Sequence, residues 1–420
     1  MNIGKGEMIK IKRSKSGFTL VTEQIEGVRS ISVGIWCDTG SVNEKVSEEG
    51  ASHYIEHMLF KGTKSRSAFM IADEIERIGG QQNAFTGKEA TCFFVRTLDE
   101  HFEAAADVLT DMICNPLFDP DEMEREKLVV CEEINMNADD PDDVALDNLE
   151  RIINRGTRMA HPVLGSRKNV NNFSQEMIID YYKRHYTGDN IVVSIAGSFD
   201  EESVSTYFEK ALASLPANGE KQIVEQMPAS SSVSGYYEVK KNIEQAHIAM
   251  GVRGLPANDD SYYKLLILNT LLGGGMSSRL FQHIREKRGL AYSINSMVGA
   301  YKRNGILAIT AGISKDRVEE ALEAIRFELK ILHDKAIRQS EVVSAREQLK
   351  SSCIFSRESV QSRMIANGRS FLLSGKVRSQ DEILNIIDAI TLEDIEDIKS
   401  IIDDYDKYTI VNVCPKGEYN

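Results

Sequence analysis

The sequence of 420 residues has little of what marks a non-globular or secreted protein. It contains 8 prolines, 29 glycines and 7% aromatic residues, and 27% of its residues are charged. These proportions exclude a disordered, collagen-like or low-complexity chain. The six cysteines are scattered and form no Cys-x-x-Cys pair. They indicate reduced thiols rather than a disulfide framework or a thiolate zinc site.

Long hydrophobic runs are also absent. The longest uncharged apolar stretch, residues 265–278, includes Asn, Thr and three consecutive glycines. It is shorter than the roughly 20 apolar residues that a membrane span requires. No apolar segment of a secretory signal follows the basic residues at the N-terminus. We therefore expect a cytoplasmic protein without a membrane partner.

Positively charged residues are fewer than negatively charged ones. The chain has 50 Lys and Arg and 64 Asp and Glu, which gives a net charge of −14. An acidic surface repels phosphate backbones, so we expect no nucleic-acid partner. Acidic side chains that converge on a cavity would instead favour basic peptides or metal ions. The alternative is that the charge serves solubility alone.

The predicted order of strands and helices occurs twice along the chain. Residues 98–134 and 313–349 each combine two charged helices, and each pair follows a strand-like run. A segment rich in Ser, Ala, Pro and Gly lies between the two copies. We predict an α+β fold of two homologous domains, residues 1–217 and 236–420, joined by a linker at 218–235. Each domain is expected to pack a mainly antiparallel sheet with helices.

Residues 53–57 read His-Tyr-Ile-Glu-His within a helical pattern. His53 and His57 are four residues apart, so on a helix both imidazoles face the same point and can bind zinc. Glu56 stays on that side and can take a proton from a zinc-activated water. With 8 His and 64 acidic residues, chance produces about 0.02 such motifs in a chain of this length. The alternative is a histidine pair that only packs.

A zinc site of this kind requires a third protein ligand. Glu126 and Glu133 lie on a predicted helix over residues 120–136 and are seven residues apart, so they lie within about 20° of each other. Glu132 lies about 100° around the helix from Glu133. Two carboxylates on one face suit a ligand and its supporting acid. The alternative is a solvated acidic helix face.

In this motif and spacing the sequence resembles the M16 zinc metallopeptidases, the inverzincin family of mitochondrial processing peptidase, insulysin and pitrilysin. It is most similar to the short bacterial members related to the processing peptidase β-subunit, over nearly the whole chain. The family places a ligand Glu about 75 residues after H-x-x-E-H, and 75 residues separate His57 from Glu133. The resemblance implies a LuxS/MPP-like metallohydrolase fold and one Zn²⁺ per chain, bound by His53, His57 and Glu133. It also implies Glu56 as general base, with Glu126 in support.

Further residues match the family's substrate site. Asn83, Ala84, Phe85 and Thr86 resemble its edge strand, to which a peptide substrate adds as a β-strand. Phe60 matches the aromatic residue that lines the pocket after the scissile bond. The alternatives are an ordinary sheet edge and a core phenylalanine.

The second copy resembles the family's second domain at residues 273–293. Arg285 and Tyr292 match the Arg and Tyr that bind substrate and stabilise the developing oxyanion. The alternative is a surface arginine and a core tyrosine. The equivalent helix, residues 264–272, has no histidine pair, so we expect no catalytic zinc in this copy.

The resemblance implies a zinc-dependent endopeptidase that hydrolyses peptides or unfolded, presequence-like segments inside an enclosed chamber. Larger members carry four such domains, so a two-domain chain implies a homodimer in which Arg285 and Tyr292 reach the other copy's zinc. A different second subunit is the alternative. Two other functions are a non-catalytic scaffold, against which the intact motif argues, and a metal-binding protein without hydrolase activity. That last function leaves Glu56 without a role.

Overall fold

The computed structural model describes residues 9–221 and 233–416. The first eight residues and most of the predicted linker at 218–235 therefore lie outside the described residues. The chain forms two compact units. The first comprises Met1–Ile134, His161–Ile223 and Phe355–Ser379, and the second comprises Asn135–Ala160, Val224–Ile354 and Gln380–Asn420.

The helices and strands follow the predicted order along both halves of the chain. The strands are β1 Ile9–Arg13, β2 Thr19–Gln24, β3 Ser30–Cys37, β4 Gln81–Thr86, β5 Thr91–Leu98, β6 Ile191–Gly197, β7 Gly235–Lys241, β8 Gln245–Gly254, β9 Ala291–Ala300, β10 Gly305–Ser314 and β11 Thr409–Pro415. The helices are α1 Ala51–Leu59, α2 Ala68–Arg77, α3 Phe102–Cys114, α4 Pro120–Asp139, α5 Pro141–Ile153, α6 Arg167–Asn172, α7 Gln175–His185, α8 Glu201–Ala211, α9 Tyr262–Gly273, α10 Val318–Asp334, α11 Gln339–Phe355, α12 Val360–Ser374, α13 Gln380–Ala389 and α14 Leu392–Ile398.

The described residues of each unit form one mixed sheet. The first sheet has the order β1-β2-β6-β3-β5-β4, in which only β2 and β6 run parallel. The second has the order β7-β11-β8-β10-β9, in which only β7 and β11 run parallel. The predicted α+β class, with mainly antiparallel sheets covered by helices, is confirmed.

The first sheet is covered on both faces, because its inner strands β3, β5 and β6 carry buried side chains at nearly every position. Ile35 and Phe93 belong to the main core cluster, which also includes residues of α1, α3 and α7. Trp36, Phe94 and Met364 pack on the opposite face, where α12 covers the sheet. Strand β4 lies at the end of the strand order, so its outer edge has no strand neighbour among the described residues.

Two helices belong to the unit opposite to their place along the chain. Helix α12 lies in the second half of the sequence, yet it packs on β2, β3 and β6 of the first unit. Helix α5 lies in the first half, yet it packs on β8 and β11 of the second unit through Ala145, Leu149 and Ile153. An amphipathic pattern shows that a helix buries one face, but it does not identify the sheet that receives it. The sequence boundaries at 217 and 236 stay a prediction.

Membrane insertion finds no support in the helices of the two described ranges. None of them combines the length and the apolar character that crossing a bilayer requires.

Candidate metal centre

Helix α1 places both motif histidines on one side of the first unit. Their Nε2 atoms are 3.3 Å apart. Helix α4 brings Glu133 to the same point, where its Oε2 lies 3.3 Å from His57 Nε2 and 3.5 Å from His53 Nε2. The three atoms form a nearly equilateral triangle.

This triangle fits a zinc ion. Zinc bound at 2.0–2.1 Å in a tetrahedron separates neighbouring ligand atoms by about 3.4 Å, which matches the three observed distances. The His53 side chain is buried, whereas that of Glu133 is 36% exposed, so the site is not sealed from solvent. No other group of three potential ligands of this kind occurs in residues 9–221 and 233–416. One zinc per chain stays a prediction.

Glu126 supports the triangle from behind His57. Its Oε1 lies 2.8 Å from His57 Nδ1, and its Oε2 accepts a hydrogen bond from Lys61 Nζ at 2.6 Å. Burial lowers the pKa of His57, but the hydrogen bond and charge of Glu126 outweigh it and the pKa is raised. Burial raises the pKa of Glu126, yet His57 and Lys61 hold it below its usual value. Glu126 therefore stays ionised and orients the His57 ring with Nε2 toward the triangle.

Glu56 lies beside the triangle without belonging to it. Burial raises its pKa, and a hydrogen bond from the Thr86 hydroxyl acts in the opposite direction. The charges of the two histidines lower the pKa of Glu56 as well, and that of Glu133 raises it. A carboxylate with a raised pKa beside a group that could hold a metal ion is a candidate for a general base.

The four predicted substrate residues lie on β4, at the open edge of the sheet. The side chains of Ala84 and Thr86 point to the side of α1, where Ala84 packs on the core and Thr86 contacts Glu56. Asn83 and Phe85 alternate to the other side. The Phe85 ring lies 5.4 Å from that of Trp36, and it is 38% exposed.

The other predicted substrate residues belong to other segments of the chain. Phe60 follows the last residue of α1 and is half-buried against Phe93, at a centroid distance of 6.2 Å. In the second unit the Arg285 guanidinium lies 4.7 Å from the Phe281 ring and 5.8 Å from the Tyr292 ring. The alternative of a core tyrosine at position 292 is wrong, because this side chain is 79% exposed. The substrate roles of Phe60, Arg285 and Tyr292 stay predictions.

Two functional candidates were not found from the sequence. Lys61 follows His57 by four residues, a helical spacing that could have indicated a position beside His57 and its partner Glu126. Glu44 accepts hydrogen bonds at the start of α1, and no motif pointed to it because it lies in an irregular segment.

Comparisons with known proteins agree with this architecture. Residues 19–167 match the family model described as "Insulinase (Peptidase family M16)", and residues 172–349 match "Peptidase M16 inactive domain". An uncharacterized zinc protease of Bacillus subtilis is 38% identical over 410 residues, which cover 98% of this chain and 99% of the relative. One from Rickettsia felis is 34% identical, with 93% of each chain covered.

The fold has close counterparts among solved structures. A protease from Helicobacter pylori superimposes with a TM-score of 0.89 over 98% of this chain and 100% of that one, at 20% identity. At this identity the likeness concerns the fold alone. The relatives that share more than 30% of their residues over almost the whole length settle the classification. The resemblance inferred from the sequence is confirmed, and the chain belongs to the insulinase family of peptidases, M16.

Proposed function

We propose that this chain is a zinc endopeptidase that hydrolyses peptides or unfolded segments, with Glu56 as general base. The observation that carries the proposal is the triangle of His53, His57 and Glu133 atoms, whose dimensions suit tetrahedral zinc. The relatives from Bacillus subtilis and Rickettsia felis are named zinc proteases. These names support the same activity.

The residues around the triangle divide the chemical work. Zinc bound there would polarise a peptide carbonyl and lower the pKa of water. Glu56 takes the proton of the attacking water and passes it to the leaving amine. Glu126 holds the His57 ring in the orientation that binding requires. The open edge of β4 offers main-chain hydrogen bonds to an extended peptide, largely independent of its side chains.

The test separates metal binding from chemistry. Glu56→Gln preserves the shape of the side chain but removes the base, so we expect wild-type zinc content and loss of cleavage of a quenched peptide. Glu76→Gln, an exposed position on α2, is the control and should keep both. Cleavage by Glu56→Gln at the wild-type rate would contradict the mechanism.

The substrate class follows from charge and from the edge strand. The net charge of −14 favours basic peptides over acidic ones, and an enclosed chamber would admit only short or unfolded chains. A peptide library cleaved by the wild-type protein should be enriched in Lys and Arg near the cut sites. Equal cleavage of acidic and basic peptides would contradict this preference.

We also propose that two copies assemble and share their sites, with Arg285 and Tyr292 of one copy serving the zinc of the other. The exposure of Tyr292 and its proximity to Arg285 support a surface role for this pair. A mixture of Glu56→Gln and Arg285→Ala chains should regain activity that neither has alone. No recovery in a mixture shown to form mixed dimers would contradict the shared site.

A further inference from the structure

The N-cap residue of helix α1 provides no side-chain cap. This residue is Gly50, at φ 94°, which has no side chain to bind the first amide groups of the helix. Glu44 supplies that function from six residues upstream. One carboxylate oxygen accepts a hydrogen bond from the Gly50 amide at 2.7 Å, and the other accepts one from the Ser52 amide at 2.8 Å.

Glu44 is fully buried, so these hydrogen bonds are shielded from water. Both of its oxygens act as acceptors, an arrangement that favours the ionised carboxylate. The positive end of the helix dipole stabilises that charge. Burial nevertheless raises the pKa of Glu44 to about 7, and the two amide donors act in the opposite direction.

Helix α7 fixes the same region from the other side. The Ser52 hydroxyl lies 2.8 Å from the Tyr181 hydroxyl, which in turn lies 3.1 Å from Thr39 Oγ1. Arg184 donates a hydrogen bond to Glu48 at 2.7 Å. A buried polar network therefore holds the start of α1. Its member Ser52 directly precedes the proposed ligand His53.

We infer that Glu44 is a positioning residue, which holds α1 at the angle and depth that bring the His53 and His57 rings to the triangle with Glu133. Because α1 has only nine residues, hydrogen bonds that hold its first turn also fix where the rest of the helix lies. A ligand displaced by a fraction of an ångström no longer matches the tetrahedral edge. The inference rests on the metal-binding part of the proposed function.

The test compares two buried carboxylates of the first unit. Glu44→Gln leaves one oxygen acceptor and turns an amide group toward a backbone N–H. Glu23→Gln is the matched control, because Glu23 is equally buried but binds Arg363 and Asn367 of α12, on the face of the sheet opposite α1. Zinc affinity is measured on full-length chains by competition with a chromogenic chelator. The measurement is made at about pH 8, where Glu44, with its pKa of about 7, is mostly ionised. The absorption spectrum of the Co²⁺-loaded protein reports the ligand geometry.

We expect Glu44→Gln to weaken zinc binding about tenfold, as changes to groups that orient metal ligands do, and to alter the Co²⁺ spectrum. Glu23→Gln should lower the unfolding temperature without changing affinity or spectrum. Equal metal affinity and an unchanged spectrum in Glu44→Gln would overturn the inference, as would the same loss in both variants. A wild-type chain that binds Zn²⁺ without cleaving peptides would contradict the proposed function alone. A wild type that binds no Zn²⁺ would contradict both.

Discussion

Thr86 donates its hydroxyl hydrogen bond to the carboxylate of Glu56. The contact joins the last residue of β4, the proposed substrate strand, to the proposed base on α1. It also acts against burial, because it lowers the pKa that burial raises. The strand edge and the base are thus coupled through one side chain.

Replacing Thr86 with Val should move the acidic limb of the pH–rate profile to higher pH. The hydrogen bond stabilises ionised Glu56, so its removal raises the pKa of this carboxyl further, and a general base works only when deprotonated. The measurement is kcat/KM for a quenched peptide between about pH 5 and 9. Thr86→Ser keeps the hydroxyl and should restore the wild-type limb. An unshifted profile in Thr86→Val would show that the contact does not tune the base.

Loss of Glu133 should weaken zinc binding more than loss of any supporting residue. Glu133→Ala removes one corner of the triangle, and we expect affinity to fall by more than about 100-fold, the upper end for groups behind the ligands. Glu132→Ala is the control, since its side chain points about 100° away around α4. Chelator competition measures both. Similar affinities for the two variants would remove Glu133 from the ligand set.

The packing of α12 on the first sheet predicts an unusual response to a helix-favouring substitution. Alanine at a helical glycine normally stabilises by up to about 1 kcal/mol. A Cβ at Gly368, however, would overlap the indole ring of Trp36, so Gly368→Ala should lower the free energy of unfolding by about 1–2 kcal/mol.

The control for this substitution is Gly275→Ala, where the nearest atom to a new Cβ is Gln348 Oε1 at 3.4 Å. Its free energy of unfolding should stay within about 0.5 kcal/mol of the wild type. Both values come from denaturant unfolding followed by circular dichroism. A stabilised Gly368→Ala chain would contradict the close packing of α12 on this sheet.

His185 should make the protein less stable in mild acid. Burial lowers its pKa to about 4, and the charge of Arg184 acts in the same direction. The unfolded chain has a histidine pKa of about 6.5. Between these two pKa values it therefore binds a proton at His185 that the folded chain does not bind. The stability that His185 contributes is complete above about pH 6.5 and is lost as the pH falls toward 4, by roughly 2–3 kcal/mol.

Denaturant unfolding at a series of pH values tests this dependence. His185→Asn should flatten the fall between about pH 6.5 and 4.5, because the titrating group is gone. His101→Gln, at a half-exposed position just before α3, should keep the wild-type slope. The same slope in wild type and His185→Asn would assign the acid sensitivity to other groups.

Much of the candidate site could be predicted from residue spacing. A helical turn fixes the angle between His53 and His57 whatever surrounds them, and a seven-residue interval does the same for Glu126 and Glu133. The family resemblance, rather than spacing, implies an edge strand at residues 83–86, and these residues lie on the last strand of their sheet. Glu44 and the Lys61–Glu126 contact were not predicted, because they join segments whose separation in space has no sequence period.

The sequence by itself determined the elements and the local grouping of the proposed ligands, since helix and strand periods depend on neighbouring residues only. The tertiary structure decided which sheet each amphipathic helix covers. Helices α5 and α12 pack in the units opposite to their place along the chain. The reason is that burying an apolar face lowers the free energy whatever the sequence distance between the two surfaces. It also decided the triangle, whose third corner reaches the histidines only when α4 packs beside α1.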